Sequence, residues 1–509
     1  MVVIGAGLGG LTAAALCAEA GFRVLVLERN ANVGGAATVY QRGELRIEAS
    51  LHEIDGLDAD DPKLALLQRL GLGESVRFVS VGELYELRTP LLSRPFLLPH
   101  GEAAAIGAVT AAFPEAADGI AEYFRRLTGA RRIVAQFARH GGNPKWWRQH
   151  LSEALRDIWT LLHEGRSTLG SVLNELFGDD ERIKIALAAN LFYYHDDPDE
   201  LPFLWWAIPQ ASYLQGGGHY IEGGSQALSD ALADRIRNAG GAVLNRAEVT
   251  DIAAGSDDLH EVLFSFQGGE AVERVAARVL LANAAPQCVT GMLQGDARQR
   301  FEKAYATKPL SISLWTAALG LTRPAAEFGI GAYSTFILPD WLRRLEDYRH
   351  AADAVGRLDR NRQPPFAVVD YGRLPEAVRR GPPYPLSLCG VDQLDNWAGL
   401  DPGATKDRKD FCLDLLVRAL DQEFPGIAGA ISQRELATAA TMQHYLNTPQ
   451  GAVYGFAPPA SLRELLRRSP RTPVARLHLA SAFTTAGGFT GAMLGGAAAA
   501  RLALQDLQS

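Results

Sequence analysis

The chain has 509 residues, and its 50 Lys and Arg stand against 58 Asp and Glu, which leaves a formal net charge of −8 at pH 7. A chain of this length is too long for a single compact hydrophobic core. The excess of acidic residues argues against a nucleic-acid partner, which would need a basic surface. Four cysteines without CxxC or metal-ligand spacing argue against a disulfide framework and a metal site, and favour a reducing, cytoplasmic compartment. The count of 51 glycines is high for this length, since the typical share is ~7%.

The predicted elements begin with a strand, a glycine-rich turn and a helix. Val2–Ile4 is a continuous apolar run, typical of a buried parallel strand, and it precedes a helix over 11–19 and a second strand over 23–28. The GxGxxG turn provides a tight bend, close approach of a pyrophosphate and helix–strand packing, while the helix N-terminus attracts phosphate. Glu28, at the end of the second strand, can accept hydrogen bonds from ribose hydroxyls. We therefore predict a dinucleotide site that contains Gly5, Gly7, Leu8, Gly9, Gly10 and Glu28.

Glycines cluster again in the centre of the chain. A patch over 216–228 precedes a helix that Ser225 is predicted to cap and Gly240-Gly241 to end. Strands are predicted next, over 242–244, 248–252 and 279–285.

The last predicted elements are a strand over 477–483 and an Ala-rich helix that a glycine-rich stretch opens. The uncharged run over 479–500 is long enough to cross a bilayer. Its Ala, Gly and Thr residues contribute little transfer energy, so we predict a closely packed soluble helix instead.

The order of these motifs resembles one group of flavoproteins. The GxGxxG turn, Glu28-Arg29-x4-Gly34-Gly35, "GGGHYIEGGSQALSDALADRI", "LLANAAP" and "ASAFTTAGGFTGAMLGG" are similar to the phytoene desaturase, carotenoid isomerase and retinol saturase group. "RIEASLHEIDG" and "NTPQGAVYGF" favour the saturase and isomerase branch. The resemblance implies an α/β fold in which a Rossmann-type domain binds FAD without a covalent link and a mixed α+β domain binds substrate. It adds cofactor contacts at Arg29, Gly34, Gly35, Ala36, Glu48, Ser50, Val249, Asn283, Ala482, Gly488, Thr490, Gly491 and Ala492.

The motif positions predict two domains that share one chain. The FAD-binding domain is expected over 1–75, 215–295 and 470–509, and the substrate-binding domain over 76–214 and 296–469. The first inserted block is predicted to be strongly helical, and the second to mix helices with strands such as 310–321 and 366–371.

Two surfaces of the substrate-binding blocks have alternative interpretations. The aromatic residues between 146 and 213 fit core packing and an apolar tunnel for an elongated substrate equally well. For 339–360, a solvated charged helix is favoured over an amphipathic lid on a membrane. Peripheral membrane contact and the oligomeric state therefore stay open.

The resemblance implies hydride exchange between a substrate carbon and flavin N5, with a proton gained or lost at the neighbouring carbon. His52, His195 and His219 are the candidate acids or bases, although a structural role is the favoured alternative for each. We predict an FAD-dependent oxidoreductase that desaturates or saturates carbon–carbon bonds of a hydrophobic isoprenoid or polyene substrate. The alternatives are a redox-neutral polyene isomerase that uses reduced FAD, a flavin amine oxidase on the same scaffold, and a non-enzymatic FAD-stabilised binding protein.

Overall fold

A computed structural model describes the chain except for residues 141–143, 255–258, 270, 376–380, 460, 462–463, 465–466 and 509. Numbered in chain order, the strands are β1 Val2–Ile4, β2 Leu25–Leu27, β3 Val39–Arg42, β4 Leu45–Glu48, β5 Ile54–Asp55, β6 Phe78–Ser80, β7 Tyr85–Arg88, β8 Phe96–Leu98, β9 Gly218–Ile221, β10 Ala242–Leu244, β11 Ala247–Ala254, β12 His260–Phe266, β13 Val272–Ala277, β14 Leu280–Ala282, β15 Ser313–Leu321, β16 Ser334–Ile337, β17 Phe366–Asp370, β18 Tyr384–Asp392, β19 Ile431–Ala437 and β20 Leu477–Leu479.

The α-helices, numbered in the same way, are α1 Leu8–Glu19, α2 Pro62–Arg69, α3 Glu102–Ala112, α4 Ala117–His140, α5 Pro144–Gln149, α6 Leu151–Glu164, α7 Leu169–Phe177, α8 Glu181–Leu187, α9 Phe203–Gly216, α10 Ser225–Asn238, α11 Pro286–Met292, α12 Gly295–Tyr305, α13 Ala351–Gly356, α14 Pro402–Glu423, α15 Ala439–Leu446 and α16 Gly488–Gln508. Short 3₁₀ helices cover Pro114–Ala116, Leu191–Tyr193, Ala325–Phe328, Leu345–His350, Tyr371–Arg373, Leu394–Asn396, Ala428–Ala430 and Pro449–Gly451.

A five-stranded parallel sheet combines strands from the N-terminal and the C-terminal regions of the chain. Its order is β10-β2-β1-β14-β20, and Ile4 in β1 lies between Leu27 of β2 and Ala282 of β14. β1 and β14 are apolar and fully buried because both faces of the sheet are covered. Helices α1, α10 and α16 pack on one face, and the strands β11 and β12 pack on the other. α1 and α16 pack together so closely that a Cβ on Gly496 would lie 2.1 Å from the carbonyl oxygen of Gly9.

A seven-stranded mixed sheet, in the order β19-β15-β18-β17-β16-β7-β8, forms the second large layer. β7 and β8 come from the block that the sequence predicted to be strongly helical, and β7 runs parallel to β16 from the second block. The helical prediction missed these strands because they are short, and partners far along the chain complete their hydrogen bonding. Helices α4, α7 and α9 pack beside this sheet around a core of large aromatic side chains.

Three smaller sheets complete the strand arrangement. β11, β12 and β13 form an antiparallel meander, β3 pairs with β4, and β9 lies between β5 and β6. The last of these sheets joins residues near position 54 to the central glycine patch, because Ile54 pairs with His219. It thereby fixes the loop that precedes β5 against the start of α10.

Two local predictions differ from the structure. α10 begins at Ser225, but its N-cap is Gly224, and the Ser225 hydroxyl donates to the carboxylate of Glu48 instead of capping the helix. The segment 339–360 forms a 3₁₀ helix and the short α13 rather than one long helix. Its apolar residues Leu342 and Leu345 belong to the core, so they do not form a lipid-facing stripe.

The segment 479–500 contains the start of α16 and is packed against α1. Among the helices in the described part of the chain, none combines the length and the apolarity that crossing a bilayer demands.

Candidate active site

One continuous cavity of about 1370 Å³ runs from the glycine turn after β1 towards the aromatic core beside α4 and α9. At one end it is lined by Gly5, Gly7 and Glu28, and at the other by Trp205, Ile208 and Leu314. We call the first part the cradle and the second part, which is also lined by His52, Tyr193, Tyr194, Tyr213 and Tyr454, the chamber.

The glycine turn leaves the N-terminus of α1 open towards the cradle. Gly5 has φ +92°, a conformation that favours glycine, and Gly7 is the N-cap of α1 without any side-chain cap. A Cβ on Gly7 would lie 2.5 Å from Nδ2 of Asn283, so a larger residue would force this side chain to move. The uncapped amide groups and the helix dipole form a site for anionic phosphate groups.

Glu28 closes the other side of the cradle. One carboxylate oxygen accepts the Ala6 N–H at 2.7 Å, and the other accepts the Asn30 N–H at 2.7 Å. Burial raises the pKa of this carboxyl, while the two backbone donors oppose the shift. The carboxylate is therefore held rigidly at the cavity wall, where its remaining lone pairs can accept hydrogen bonds.

Most of the predicted cofactor contacts line this cavity. They are Gly5, Gly7, Leu8, Gly9, Glu28, Arg29, Gly34, Gly35, Ala36, Ser50, Val249, Asn283, Ala482, Gly488, Thr490, Gly491 and Ala492. Thr490 is oriented by a 2.9 Å hydrogen bond to Asp55, and the Ser50 hydroxyl donates to the Ala36 carbonyl at 2.7 Å. A Cβ on Gly488 would meet nothing within 4 Å, so the start of α16 leaves open space beside the cavity.

Two predicted cofactor contacts do not line the cavity. Gly10 packs against the Gly5 carbonyl, where a Cβ would lie only 2.3 Å away, so it serves helix–strand packing. Glu48 accepts hydrogen bonds from the Ser225 N–H at 2.9 Å and from the Ser225 hydroxyl. Its carboxylate therefore provides the acceptor for a backbone N–H at the start of α10. Burial raises the pKa of Glu48 to about 7.

Two of the three candidate histidines also lie outside the cavity lining. His195 accepts the Asp197 N–H at Nδ1, and the same nitrogen lies 3.2 Å from an Asp196 oxygen, which gives it a local structural role. His219 is in β9, and burial followed by the charge of Lys63 lowers its pKa. The structure therefore brings only His52 of the three histidines to the chamber.

His52 lies at the boundary of the cradle and the chamber. Its Nδ1 is 2.9 Å from the Tyr193 hydroxyl and 3.7 Å from the Cys389 sulfur, and its Nε2 is 3.5 Å from the Ser387 hydroxyl. Burial lowers the pKa of His52 to about 4, so the imidazole is neutral near pH 7.

Sequence reasoning did not single out several polar groups of this wall. Tyr193 was included only among the aromatic residues, and Cys389 and Ser481 were not assigned to the site. Ser481 lines the cavity, and its buried hydroxyl has no hydrogen-bond partner, so it is available to a ligand. No signal in the sequence relates Cys389 to His52, because they are 337 positions apart and only the sheet brings them together.

FAD fits the residues that are present. A Cβ on Gly7 would crowd the cradle, the N-terminus of α1 is uncapped, Glu28 offers a fixed carboxylate, and Ser481 has an unsatisfied hydroxyl. A parallel sheet with this turn, joined to a second sheet across a deep apolar chamber, defines a dinucleotide-binding oxidoreductase.

Comparison with known proteins identifies the family. The model of the flavin containing amine oxidoreductase family matches residues 8–504, and the chain belongs to this family. All-trans-retinol 13,14-reductase from Macaca fascicularis is 24% identical and aligns with 97% of this chain and 84% of its own length. A phytoene desaturase from Rhodobacter capsulatus is 23% identical, and the alignment covers 90% of this chain and 84% of the desaturase. Prolycopene isomerase from Daucus carota is 21% identical, and the alignment covers 91% of this chain and 73% of the isomerase.

Solved structures have the same fold at low sequence identity. An oxidoreductase from Methanosarcina mazei superimposes with a TM-score of 0.64 at 17% identity, and the match covers 97% of this chain and 98% of the other. Cyclohexylamine oxidase from Brevibacterium oxydans gives a TM-score of 0.57 at 18% identity, and the match covers 100% of this chain and 99% of the oxidase. The predicted family resemblance, the α/β fold class and the FAD cofactor are confirmed. The protein is an FAD-dependent oxidoreductase.

Proposed function

We propose that this protein adds hydrogen to, or removes it from, a carbon–carbon double-bond system in an apolar, elongated polyene. The observation that carries the proposal is the continuity of the FAD cradle with a chamber walled by Trp205, Ile208 and Leu314. An extended apolar molecule can lie along this chamber with one bond at the cradle, because apolar walls favour its transfer from water. The relatives named for retinol reduction, phytoene desaturation and prolycopene isomerisation support the same substrate class.

The proposed cofactor contacts divide by the part of FAD that each would hold. The turn at Gly5 and Gly7 and the N-terminus of α1 would hold the phosphates, and Glu28 would hold a ribose. The start of α16 and residues near Ser50 would lie beside the flavin. When bound, FAD supplies hydride exchange at its N5 atom, and the protein orients the substrate and excludes water.

We also propose the domain division 1–75, 215–295 and 470–509 for FAD, and 76–214 and 296–469 for substrate. The strands of the five-stranded sheet fall in the first set of ranges, and those of the seven-stranded sheet fall in the second, which supports the division.

An anaerobic half-reaction tests the proposed function. The FAD-loaded protein is reduced and mixed with retinol-like and carotenoid-like polyenes, and the flavin absorbance and the product mass are followed. Flavin oxidation with a mass gain of two hydrogens indicates saturation. The converse experiment, reduction of oxidised flavin with a mass loss of two hydrogens, indicates desaturation. An unchanged mass with a new retention time indicates the isomerase alternative, and flavin reduction by amines alone would overturn the proposal.

A chamber-filling variant separates substrate binding from cofactor binding. Leu314→Trp places a large side chain in the chamber, far from the glycine turn, so polyene turnover should fall while FAD content is retained. Leu97→Trp is the matched control, because Leu97 is an exposed leucine outside the cavity lining. Equal turnover in the two variants would contradict the placement of the substrate.

We further propose that this enzyme contacts a membrane surface through α6. Four apolar side chains are spaced for one face of this helix, and each is more than half exposed: Leu151, Leu155, Trp159 and Leu162. Exposed Lys145 and Arg148 precede the face, and a row of tryptophan and leucine beside basic residues is typical of interfacial helices. α4 packs against α6, and its exposed Val134 lines the cavity, so an apolar substrate could pass from lipid to chamber at this point.

Vesicle sedimentation tests this contact. The protein should sediment with vesicles that contain an anionic phospholipid, and Leu155→Ser with Trp159→Ser should abolish the binding. Val272→Ser is the matched control, because Val272 is 62% exposed on a different surface. Binding that survives the double substitution would contradict the assignment of the face.

A further inference from the structure

Tyr193 and His52 form a hydrogen-bonding pair in the chamber wall, in a cavity that the buried Glu53 carboxyl also lines. Tyr193 ends the 3₁₀ helix Leu191–Tyr193, and its ring packs edge-on against Phe336 with centroids 5.4 Å apart. Both side chains of the pair line the cavity and keep accessible surface there. The Tyr193 hydroxyl is therefore held at the wall, within reach of a molecule in the chamber.

The backbone beneath His52 is fixed by two other tyrosines. The Tyr333 hydroxyl donates to the His52 carbonyl, and the Tyr371 hydroxyl donates to the Leu51 carbonyl at 3.0 Å. Ser387 lies 3.5 Å from Nε2 and limits rotation of the ring from the opposite side. Hydroxyls from β18, from the 3₁₀ helix Tyr371–Arg373 and from the segment before β16 thus position one imidazole nitrogen 2.9 Å from the Tyr193 oxygen. Catalytic acids need this kind of geometric support.

We propose that Tyr193 is the residue that exchanges a proton with the substrate carbon, and that His52 is the positioning residue that holds and stabilises its oxygen. This inference rests on the proposed polyene reaction. In saturation, reduced FAD would supply a hydride to one alkene carbon, and the adjacent carbon would take the proton of the Tyr193 hydroxyl. The phenol O–H bond breaks, the new C–H bond forms, and the phenolate is reprotonated by water. The reverse step, desaturation by oxidised flavin, would begin from the Tyr193 phenolate, so a phenol that stays protonated favours the saturation direction.

The tautomer of His52 decides whether the phenol hydrogen is free. With the proton on Nδ1, the imidazole donates to the Tyr193 oxygen, and the phenol hydrogen can point into the chamber. The same N–H stabilises the oxygen when it carries negative charge. Nε2 is then an acceptor for the Ser387 hydroxyl, so the three groups satisfy one another.

Burial keeps both members of the pair in the neutral forms that this exchange needs. It lowers the pKa of His52 and raises the pKa of Tyr193 well above its usual value, with the nearby Cys389 thiol adding to the second effect. The phenol is thus protonated throughout the physiological pH range. A phenol that keeps its proton in an apolar site can donate this proton to the substrate during saturation and does not release it to solvent.

Two tyrosines provide the test. Tyr193→Phe removes the proposed donor, whereas Tyr348→Phe removes the hydroxyl of a buried tyrosine outside the cavity lining, which donates to the Ala189 carbonyl at 3.1 Å. Oxidation of the reduced flavin by polyene should become about 100-fold slower or more in Tyr193→Phe and stay within about threefold of wild type in Tyr348→Phe. Polyene affinity, measured from the change in the oxidised flavin spectrum, should be retained in both variants.

Nitrogen-15 NMR of the imidazoles adds a readout that does not depend on turnover. The chain has 11 histidines, and the His52 resonances are identified by their loss in His52→Gln. The Nδ1 resonance should move in Tyr193→Phe and stay unchanged in Tyr348→Phe.

The outcomes separate the two levels of the proposal. If no polyene oxidises the reduced flavin of the wild-type enzyme or reduces its oxidised flavin, the proposed function fails and the role of Tyr193 falls with it. If wild type reacts and Tyr193→Phe reacts at the same rate, only the role of Tyr193 is overturned. A slow Tyr193→Phe variant with unchanged affinity and a shifted His52 resonance supports it. A slow variant with an unmoved resonance refutes the role of His52.

Discussion

Replacing Glu28 by glutamine tests how the protein holds its cofactor. The two carboxylate oxygens accept the N–H groups of Ala6 and Asn30, each at 2.7 Å, in a buried site. Glutamine has the same shape, but its NH₂ group must face one of these two donors, so one backbone N–H loses its acceptor. An unsatisfied buried N–H costs about 1–3 kcal/mol of folding stability. The proposed charge-assisted hydrogen bond from Glu28 to a ribose hydroxyl, worth about 1.5–3 kcal/mol, is lost from the complex with FAD.

The expected effect is a weaker complex with FAD. A loss of about 1.5–3 kcal/mol corresponds to a Kd that is roughly 10–150 times higher, because 1.4 kcal/mol is a factor of ten. The assay is a titration of the FAD-free protein followed by quenching of flavin fluorescence. Glu222→Gln is the matched control, because Glu222 pairs with Arg77 at the surface and does not line the cavity. Its Kd should equal that of wild type.

The pH dependence of the same titration gives an independent check. Burial raises the pKa of Glu28, so the carboxylate becomes a neutral acid at a higher pH than an ordinary glutamate does. A protonated oxygen accepts ribose hydrogen bonds less well. FAD affinity should therefore fall as the pH is lowered through this pKa, and this fall should be smaller in Glu28→Gln. A variant whose Kd lies within about threefold of wild type would refute the assignment of Glu28.

Gly496→Ala should lower the apparent thermal midpoint, because the new methyl group meets a backbone oxygen at 2.1 Å and overpacking costs about 1–3 kcal/mol. A chain of 509 residues shifts by about 1 °C per kcal/mol, so the expected fall is roughly 1–3 °C. Gly107→Ala, in open space on a helix, should not lower the midpoint, and equal losses would contradict the packing argument. Lys63→Met leaves the buried Asp61 carboxylate without its cation and should cost about 3–5 kcal/mol in chemical denaturation; a change below about 1 kcal/mol would be contrary to this expectation. Burial raises the pKa of the Cys389 thiol to about 12, so iodoacetamide at pH 8 should alkylate it only after unfolding, and rapid labelling of the native protein would disprove this.

The cradle could be predicted from sequence because its determinants are local. β1, the glycine turn and α1 lie within the first 19 residues, and each reflects a backbone requirement that particular residues meet. The strand at Ala242–Leu244 was predicted with its observed bounds, since glycines mark its start and apolar residues its length. α1 begins at Leu8, earlier than the predicted position 11, because Gly9 and Gly10 are helical despite their low propensity.

The chamber could not be predicted in the same way. β7 pairs with β16, which lies nearly 250 positions further along the chain, and no local sequence pattern predicts this pairing. The contact between His52 and Tyr193 has the same origin, because β18, the 3₁₀ helix at 191–193 and the loop before β5 meet only in the folded state. The sequence provided three candidate histidines, but it could not show that His195 and His219 lie outside the cavity lining.

The position of β20 beside β14 has a consequence for how the protein is made. β1 is synthesised first, yet the fifth strand of its sheet and the helix that packs on α1 emerge roughly 470 residues later. At about 5–20 residues per second, the ribosome needs roughly 25–95 s to supply them. During this time the apolar faces of β1 and α1 lack their final partners, so nascent chains would need protection from aggregation. Stable cofactor uptake should therefore follow the emergence of α16 from the ribosome, and ribosome-arrested chains that lack α16 should retain little flavin.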